Sequence, residues 1–147
     1  MLTFKNITLQ DIPALTPLFV ATFNAPPWND SWTEDTAAKR LGQMIGVPDF
    51  FGFYAYDEAG LCGLILGGLE QYGDAITFNL KEFCVDNRRR GQGLGSVIYR
   101  ALETQLKALG VSEIFLTTLH HPQTLNFYTR QGLTENNALL VLHKTIN

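Results

Sequence analysis

The chain has 147 residues, of which 46% are hydrophobic and 17% are charged, a composition typical of one globular domain with its own core and not of a disordered segment. Its formal net charge of −3 argues against a nucleic-acid partner. The chain has neither a signal-peptide pattern nor an apolar run near the roughly 20 residues of a membrane span, so we expect a single cytoplasmic domain over residues 1–147 with no membrane partner.

The first third of the chain predicts a strand and two helices. Residues 2–7 alternate as in a short strand, and apolar residues at helical spacing follow Asp11, a candidate N-cap. The prolines at 26 and 27 end this helix in a loop. Ser31 and Glu34 then have the spacing of a capping box, which predicts a second helix that ends near Gly46.

The middle of the chain predicts three strands, at residues 50–56, 61–71 and 75–85, separated by short turns. Strands joined by short turns form an antiparallel meander. Both cysteines, Cys62 and Cys84, lie in these apolar runs and have no companion ligands at metal-binding spacing. They are therefore interpreted as buried reduced thiols, and we predict no metal site.

The last third alternates between helix and strand. A one-sided apolar stripe predicts a long helix from Leu94 to Gly110. A strand at 114–119, a short helix at 122–130 and a final strand at 138–146 follow. The order β-α-α-β-β-β-α-β-α-β indicates a mixed α/β (α+β) fold, with a mostly antiparallel sheet flanked by helices. The strands on either side of the long helix should be parallel neighbours, because a helical crossover joins them.

The loop before the long helix has the chemistry of an anion site. Glycines at 91, 93 and 95 allow a close approach of the backbone to a ligand, and three arginines precede them. Unpaired N–H groups at a helix N-terminus bind phosphate well. The glycine offsets do not fit a dinucleotide-binding fingerprint, and the lysine of a nucleotide-triphosphate loop is absent.

Two segments carry a resemblance to a known family. Residues 81–86 followed by 90–95 resemble the cofactor motif of the GNAT superfamily of N-acetyltransferases, Q/R-x-x-G-x-G/A, matched by Arg90, Gly93 and Gly95. Residues 126–133 resemble the family's later A-x-x-F-Y-x-x-x-G-F segment. The resemblance extends over nearly the whole chain, and it implies a single GNAT-like domain that transfers an acetyl group from acetyl-CoA to a primary amine.

The resemblance also implies which residues bind the cofactor. The pyrophosphate of acetyl-CoA is expected on the backbone of Arg90, Gly91, Gln92, Gly93, Leu94, Gly95 and Ser96. Main chain at Cys84 and Val85 is expected to pair with the pantetheine arm, and Asn126 matches a position that faces this arm in relatives.

Acetyl transfer to an amine needs a base for the amine proton and an acid for the departing thiolate. By resemblance, Tyr128 is the expected acid and Glu82 the expected base, with a purely structural role as the alternative for each. His120 and His121 stand where relatives often have an asparagine, and they remain alternative bases.

Aromatic and acidic residues cluster ahead of the second helix, where the resemblance places the acceptor. Candidate acceptor contacts, suited to a small cationic amine, are Trp28, Asp30, Trp32 and Glu34. In the alternative interpretation the tryptophans pack the two helices and the acids cap the second. Acetylation of a protein N-terminus or lysine, and a silent acyl-CoA sensor, remain rival functions. A homodimer through the edge of the final strand is possible on this pattern.

Overall fold

A computed structural model describes all residues, 1–147, and divides them into two compact units, Met1–Leu116 and Thr117–Asn147. No helix combines the length and the apolar character that crossing a membrane requires. The first unit contains β1 (Thr3–Asn6), α1 (Ile12–Phe23), α2 (Glu34–Ile45), β2 (Phe50–Asp57), β3 (Gly60–Tyr72), β4 (Ala75–Val85), α3 (Leu94–Ala108) and β5 (Val111–Phe115). The second unit contains α4 (Pro122–Arg130).

The five strands form one mixed sheet in the order β1-β2-β3-β4-β5. Each pair from β1 to β4 is antiparallel, and β4 pairs with β5 in parallel. The predicted meander and the predicted parallel neighbours are therefore confirmed. A short turn reverses the direction of the chain and so gives an antiparallel pair. The helix α3 instead returns the chain to the end of the sheet where β4 begins, and β5 therefore runs parallel to β4.

Helices cover both faces of the sheet. Leu64 and Leu66 of β3 belong to a core cluster with buried residues of α1 and α2. Gly63, which points the opposite way, faces Ile98 of α3, since a Cβ there would lie 2.7 Å from Ile98 Cδ1. Successive residues of a strand point to opposite faces, so α1 and α2 lie on one face and α3 on the other.

The second helix begins later than the sequence predicts. Its N-cap is Thr33, whose hydroxyl accepts a hydrogen bond from Thr36 N at 3.1 Å, and Ser31 plays no such part. The side chain of Asn24 accepts a hydrogen bond from Trp32 N at 2.8 Å and donates one to the Trp32 carbonyl oxygen at 2.9 Å. The chain is thereby kept extended through Trp32, and the helix starts only after Thr33.

Two predictions for the end of the chain are wrong. β5 begins at Val111, directly after the turn at Gly110, and ends at Phe115, because its pairing with β4 covers only this stretch. Residues 138–146 form no strand, and their large apolar side chains are exposed. Apolar composition favours a strand only where a neighbouring strand supplies hydrogen bonds. The strand edge on which subunit pairing was suggested is therefore not formed.

Candidate functional site

The sheet opens between β4 and β5. Parallel pairing joins residues 76–79 of β4 to Val111–Phe115 and does not continue to residues 80–85. In the same stretch β4 contains a bulge, because Leu66 and Gly67 of β3 pair with Glu82 and Leu80, which leaves Lys81 as an extra residue. Beyond Asn79, β4 therefore has a partner strand only on the β3 side, and its other edge faces the opening.

A 3-10 turn at Asn87–Arg89 and then the glycine loop, residues 90–93, connect β4 to α3. Gly91 and Gly93 have φ angles of 81° and 75°, in the left-handed region that side chains with a Cβ rarely adopt. No atom lies within 4 Å of a Cβ built on either residue. Backbone conformation, and not crowding, therefore accounts for glycine here. Gly93 is the N-cap of the 15-residue helix α3, so the positive end of the helix dipole lies at the loop.

Two of the three arginines before the glycines are engaged within the protein. Arg88 forms two side-chain hydrogen bonds with Asp86, and Arg89 forms a bidentate pair with Asp57 at the end of β2. The hydrogen bonds from Arg89 lower the pKa of Asp57 to about 2, and those from Arg88 lower the pKa of Asp86. The Arg89–Asp57 pair ties this segment to β2, whereas the Arg88–Asp86 pair lies within the segment. Two of the three arginine charges predicted to favour an anion are thus paired with carboxylates of the protein.

Arg90 differs from its two neighbours, since it forms no salt bridge. Its guanidinium carbon lies 5.5 Å from the centroid of the Trp28 ring. Trp28 in turn packs edge-on against Phe23 of α1, at 5.2 Å between ring centroids. Trp28 is thus partly buried and packs against the core cluster, in agreement with the alternative interpretation in which it packs the helices. It also contacts Arg90, the first residue of the glycine loop.

Glu82 is a buried carboxylate on the α1–α2 face of the sheet. Its side chain is 10% exposed, and Arg40 of α2 donates from Nε to Glu82 Oε1 at 2.8 Å. Burial raises the pKa of Glu82, and the hydrogen bond and charge of Arg40 oppose that rise. The negative charge of Asp30 raises the pKa of Glu82 further. An ionisable carboxylate with a raised pKa has the properties of a general base.

The segment between α1 and α2 provides a second polar feature. Trp32 donates from Nε1 to Asp30 Oδ2 at 3.0 Å, and its ring packs edge-on against Phe19 at 5.0 Å between centroids. An open recess of about 410 Å³ is lined by Asp30, Ser31, Trp32 and Thr36. Glu34 does not line this recess and is exposed in the first turn of α2.

Cys84 has a buried side chain in the core cluster, 4% exposed. Burial raises the pKa of its thiol to about 12, so the thiol stays protonated at neutral pH and is a poor nucleophile. Cys62 is also buried, and its Sγ donates to the Ala55 carbonyl oxygen at 3.2 Å. The interpretation of both cysteines as buried reduced thiols is confirmed.

The remaining candidates belong to the second unit. Asn126 and Tyr128 both lie on α4. His121 caps this helix, since its Nδ1 accepts from Gln123 N at 3.1 Å, and His120 is exposed just before it. A histidine that caps a helix has a structural reason for its position, which sequence reasoning missed.

Sequence reasoning also missed Arg40 and Asp57. Each contacts a candidate residue or loop that is far away along the chain, at separations of 42 residues for Arg40–Glu82 and 32 for Asp57–Arg89. No local motif marks either residue. Only the pairing of β2, β3 and β4 and the docking of α2 bring them into contact.

Solved structures with the same fold cover nearly the entire chain. An aminoglycoside acetyltransferase, meta-AAC0020, from an uncultured soil metagenomic sample in complex with sisomicin, has a TM-score of 0.76 and 20% identity over 99% of this chain and 97% of its own. A possible acetyltransferase from Clostridium difficile 630 has a TM-score of 0.84 and 8% identity, with coverage of 100% and 99%. A GNAT family acetyltransferase from Staphylococcus aureus subsp. aureus USA300_TCH1516 has a TM-score of 0.74 and 17% identity, with coverage of 99% and 98%.

At these identities the likeness establishes the fold. Among curated protein sequences, none matches the chain. The sequence model of the acetyltransferase (GNAT) family, however, matches residues 12–133. That range includes the bulged strand β4, the glycine loop and α4. The chain therefore belongs to the GNAT family of acetyltransferases.

Proposed function

We propose that the protein transfers the acetyl group of acetyl-CoA to the primary amine of a small cationic molecule, by direct attack in a ternary complex. One observation carries the proposal: the edge of β4 that lacks a partner strand is followed, after one 3-10 turn at Asn87–Arg89, by the glycine loop at the N-terminus of α3. An extended arm that ends in a pyrophosphate matches this combination of a strand edge and an anion site.

Acetyl-CoA would bind along the strand edge and the glycine loop. The main chain of Cys84 and Val85 would pair with the pantetheine arm. The pyrophosphate would accept hydrogen bonds from the loop backbone of residues 90–96, with Arg90 as the one arginine of the three that is free of a salt bridge. Asn126 of α4 would add a polar contact to the arm. Family membership supports this assignment.

The reaction requires the removal of two protons from the acceptor nitrogen and the addition of one proton to the departing thiolate. In the proposed mechanism the carboxylate of Glu82 accepts the proton of the substrate ammonium, directly or through water, and the amine nitrogen attacks the thioester carbonyl carbon. The carbon–sulfur bond then breaks, the departing thiolate accepts a proton from Tyr128, and the second proton lost by the attacking nitrogen returns to Tyr128. The raised pKa of Glu82 supports its role, since a base titrating closer to neutral pH accepts a proton more readily.

The acceptor would bind on the α1–α2 side of the opening. Asp30 and Trp32 line the recess at the segment between α1 and α2, and Trp28 and Glu34 flank them in the sequence. Carboxylates and aromatic faces attract ammonium groups. A structural neighbour of the same fold is an aminoglycoside acetyltransferase solved with sisomicin, so multiply charged aminosugars belong in the first set of acceptors to test.

Calorimetry with acetyl-CoA, followed by a thiol-release assay on the same sample, tests the proposal. The amine panel contains aminoglycosides, linear polyamines, and peptides with a free N-terminus or a lysine. We expect micromolar binding and thiol release with the aminoglycosides or polyamines. Thiol release with peptides alone would contradict the small-molecule assignment and would indicate a protein N-terminus or lysine as the acceptor. Binding without release from any amine would favour a sensor, and absence of binding would refute the proposed cofactor site.

A further inference from the structure

Arg40 approaches Glu82 because of the way α2 packs. Ala37 and Leu41, which flank Arg40 on this helix, have no exposed surface. Their packing fixes the rotation of α2, so that the Arg40 side chain reaches across to β4. The guanidinium is the only hydrogen-bond partner of the Glu82 carboxylate, and its side chain remains 43% exposed.

We propose that Arg40 is a positioning residue for Glu82, which fixes the orientation of the carboxylate and keeps it in the charged form that accepts the substrate proton. The proposal rests on the proposed function, in which Glu82 is the base. It assigns a role in acetyl transfer to a residue that no sequence motif marks.

The two carboxylate oxygens of Glu82 are in different environments. Oε1 accepts the hydrogen bond from Arg40 Nε at 2.8 Å. Oε2 accepts no hydrogen bond from the protein, which leaves its lone pairs for a substrate ammonium or an intervening water. One oxygen therefore orients the group and the other receives the proton. When the acetylated product leaves, the proton passes from Oε2 to solvent, and the carboxylate is restored.

Among the groups around Glu82, Arg40 contributes most to keeping the carboxylate ionised. Burial and the negative charge of Asp30, from the segment before α2, favour the neutral acid. The positive charges of Arg40 on α2 and of Lys81, the preceding residue on β4, favour the carboxylate, and the contribution of Arg40 is the larger of the two. Cys84, on the same face of β4, carries no charge at neutral pH because burial raises its pKa to about 12. Removal of Arg40 would leave Lys81 as the only cation to oppose burial and Asp30.

The test compares Arg40→Gln with Lys39→Gln, which removes the same charge from the neighbouring, exposed position of α2. For Arg40→Gln we expect the acidic limb of the kcat/KM profile to move to higher pH, because the pKa of Glu82 rises. At pH values on that limb kcat/KM should fall about tenfold or more, since an opposite charge at this distance lowers the pKa of a carboxyl group by about one unit or more. Activity should recover at higher pH, and Lys39→Gln should follow the wild-type profile.

A second readout does not depend on turnover. Titration of the Glu82 side-chain carboxyl by carbon-13 NMR, with the resonance assigned by its loss in Glu82→Gln, should show a raised midpoint in Arg40→Gln and an unchanged one in Lys39→Gln. Arg40→Lys, which keeps the charge but not the guanidinium geometry, should return the midpoint most of the way to its wild-type value. Circular dichroism and acetyl-CoA affinity establish that each variant is folded.

These measurements separate the two proposals. If the wild-type protein acetylates no amine, the proposed function fails, and the NMR midpoint still decides whether Arg40 controls the ionisation of Glu82. An unchanged midpoint in folded Arg40→Gln would overturn the inference. So would a loss of kcat/KM that is equal at every pH, because that pattern indicates a contact with the substrate and not a positioning role.

Discussion

Arg90 and Trp28 lie in contact, with 5.5 Å between the guanidinium carbon and the centroid of the indole ring. One residue begins the glycine loop before α3, and the other lies in the connection from α1 to α2. The contact joins the segment proposed to bind the pyrophosphate to the segment proposed to bind the acceptor. A cation over an indole face contributes roughly 0.5–2 kcal/mol, which leaves the guanidinium able to exchange this contact for a stronger one with phosphate.

Replacement of Arg90 by glutamine should weaken acetyl-CoA binding by about tenfold to a hundredfold, because one charge-assisted hydrogen bond contributes about 1.5–3 kcal/mol. Calorimetry measures the effect. Arg100→Gln, which removes the same charge from an exposed position of α3, is the matched control and should bind like wild type. Equal affinities for the two variants would exclude Arg90 from the pyrophosphate site.

Gly93 offers a test of the loop backbone. Asparagine and aspartate tolerate its left-handed conformation better than other residues and have nearly the same size. Gly93→Asp should abolish acetyl-CoA binding, because it places a negative charge at the N-terminus of α3 where the pyrophosphate is expected. Gly93→Asn should weaken binding much less. If the two variants bind equally well, charge at this position does not matter and the site lies elsewhere.

Asp57 should stabilise the folded state in a pH-dependent way. The pair with Arg89 lowers its pKa from an ordinary value of 3.8 to about 2, so its contribution is complete above about pH 4 and is lost as the pH falls towards 2. Asp57→Asn should therefore lower the free energy of unfolding at pH 7, and the difference from wild type should narrow between pH 4 and 2. Urea unfolding at several pH values measures this.

Asp74→Asn, in the exposed turn between β3 and β4 and without an ion pair, is the control for Asp57 and should unfold like wild type at each pH. Asp57→Asn should also reduce acetyl-CoA affinity, because Arg89 would no longer tie the loop to β2. A stability difference that stays constant across the pH range would contradict the role of this ion pair.

Tyr128→Phe should lower kcat by about a hundredfold or more while it changes acetyl-CoA affinity little, since a positioned general acid contributes about 10²–10⁴ in rate. Stopped-time thiol release and calorimetry on the same preparation separate the two effects. Tyr72→Phe removes a hydroxyl from a side chain that is 78% exposed and should leave both quantities unchanged. Wild-type turnover in Tyr128→Phe would remove this residue from the acid role.

The parts of the structure that local sequence determines were predictable. The turns between β2, β3 and β4, the amphipathic stripe of α3 and the glycine loop each depend on residues close together in the chain. Their spacing therefore predicts both the meander and the glycine loop at the start of α3. The parallel pairing of β4 with β5 followed from chain connectivity alone, because a helix joins the two strands.

Features that depend on distant residues were not predictable. The start of α2 is decided by Asn24, which holds Trp32 extended across eight residues. The partners of Glu82 and Arg89 come from α2 and β2, at 42 and 32 residues. For residues 138–146 the composition indicates strand propensity but no pairing partner, and propensity alone does not form a strand. The bulge at Lys81 likewise depends on the register of two strands.

The opening between β4 and β5 also bears on aggregation. A strand edge without a neighbour is a template on which another chain can add a strand, and natural sheets resist this with bulges and exposed lysines. Lys81 supplies both features, since it is the extra residue of the β4 bulge and its side chain is exposed. The bulge and the exposed lysine thus make this edge, along which acetyl-CoA is proposed to bind, a poor template for edge-to-edge association between protein chains.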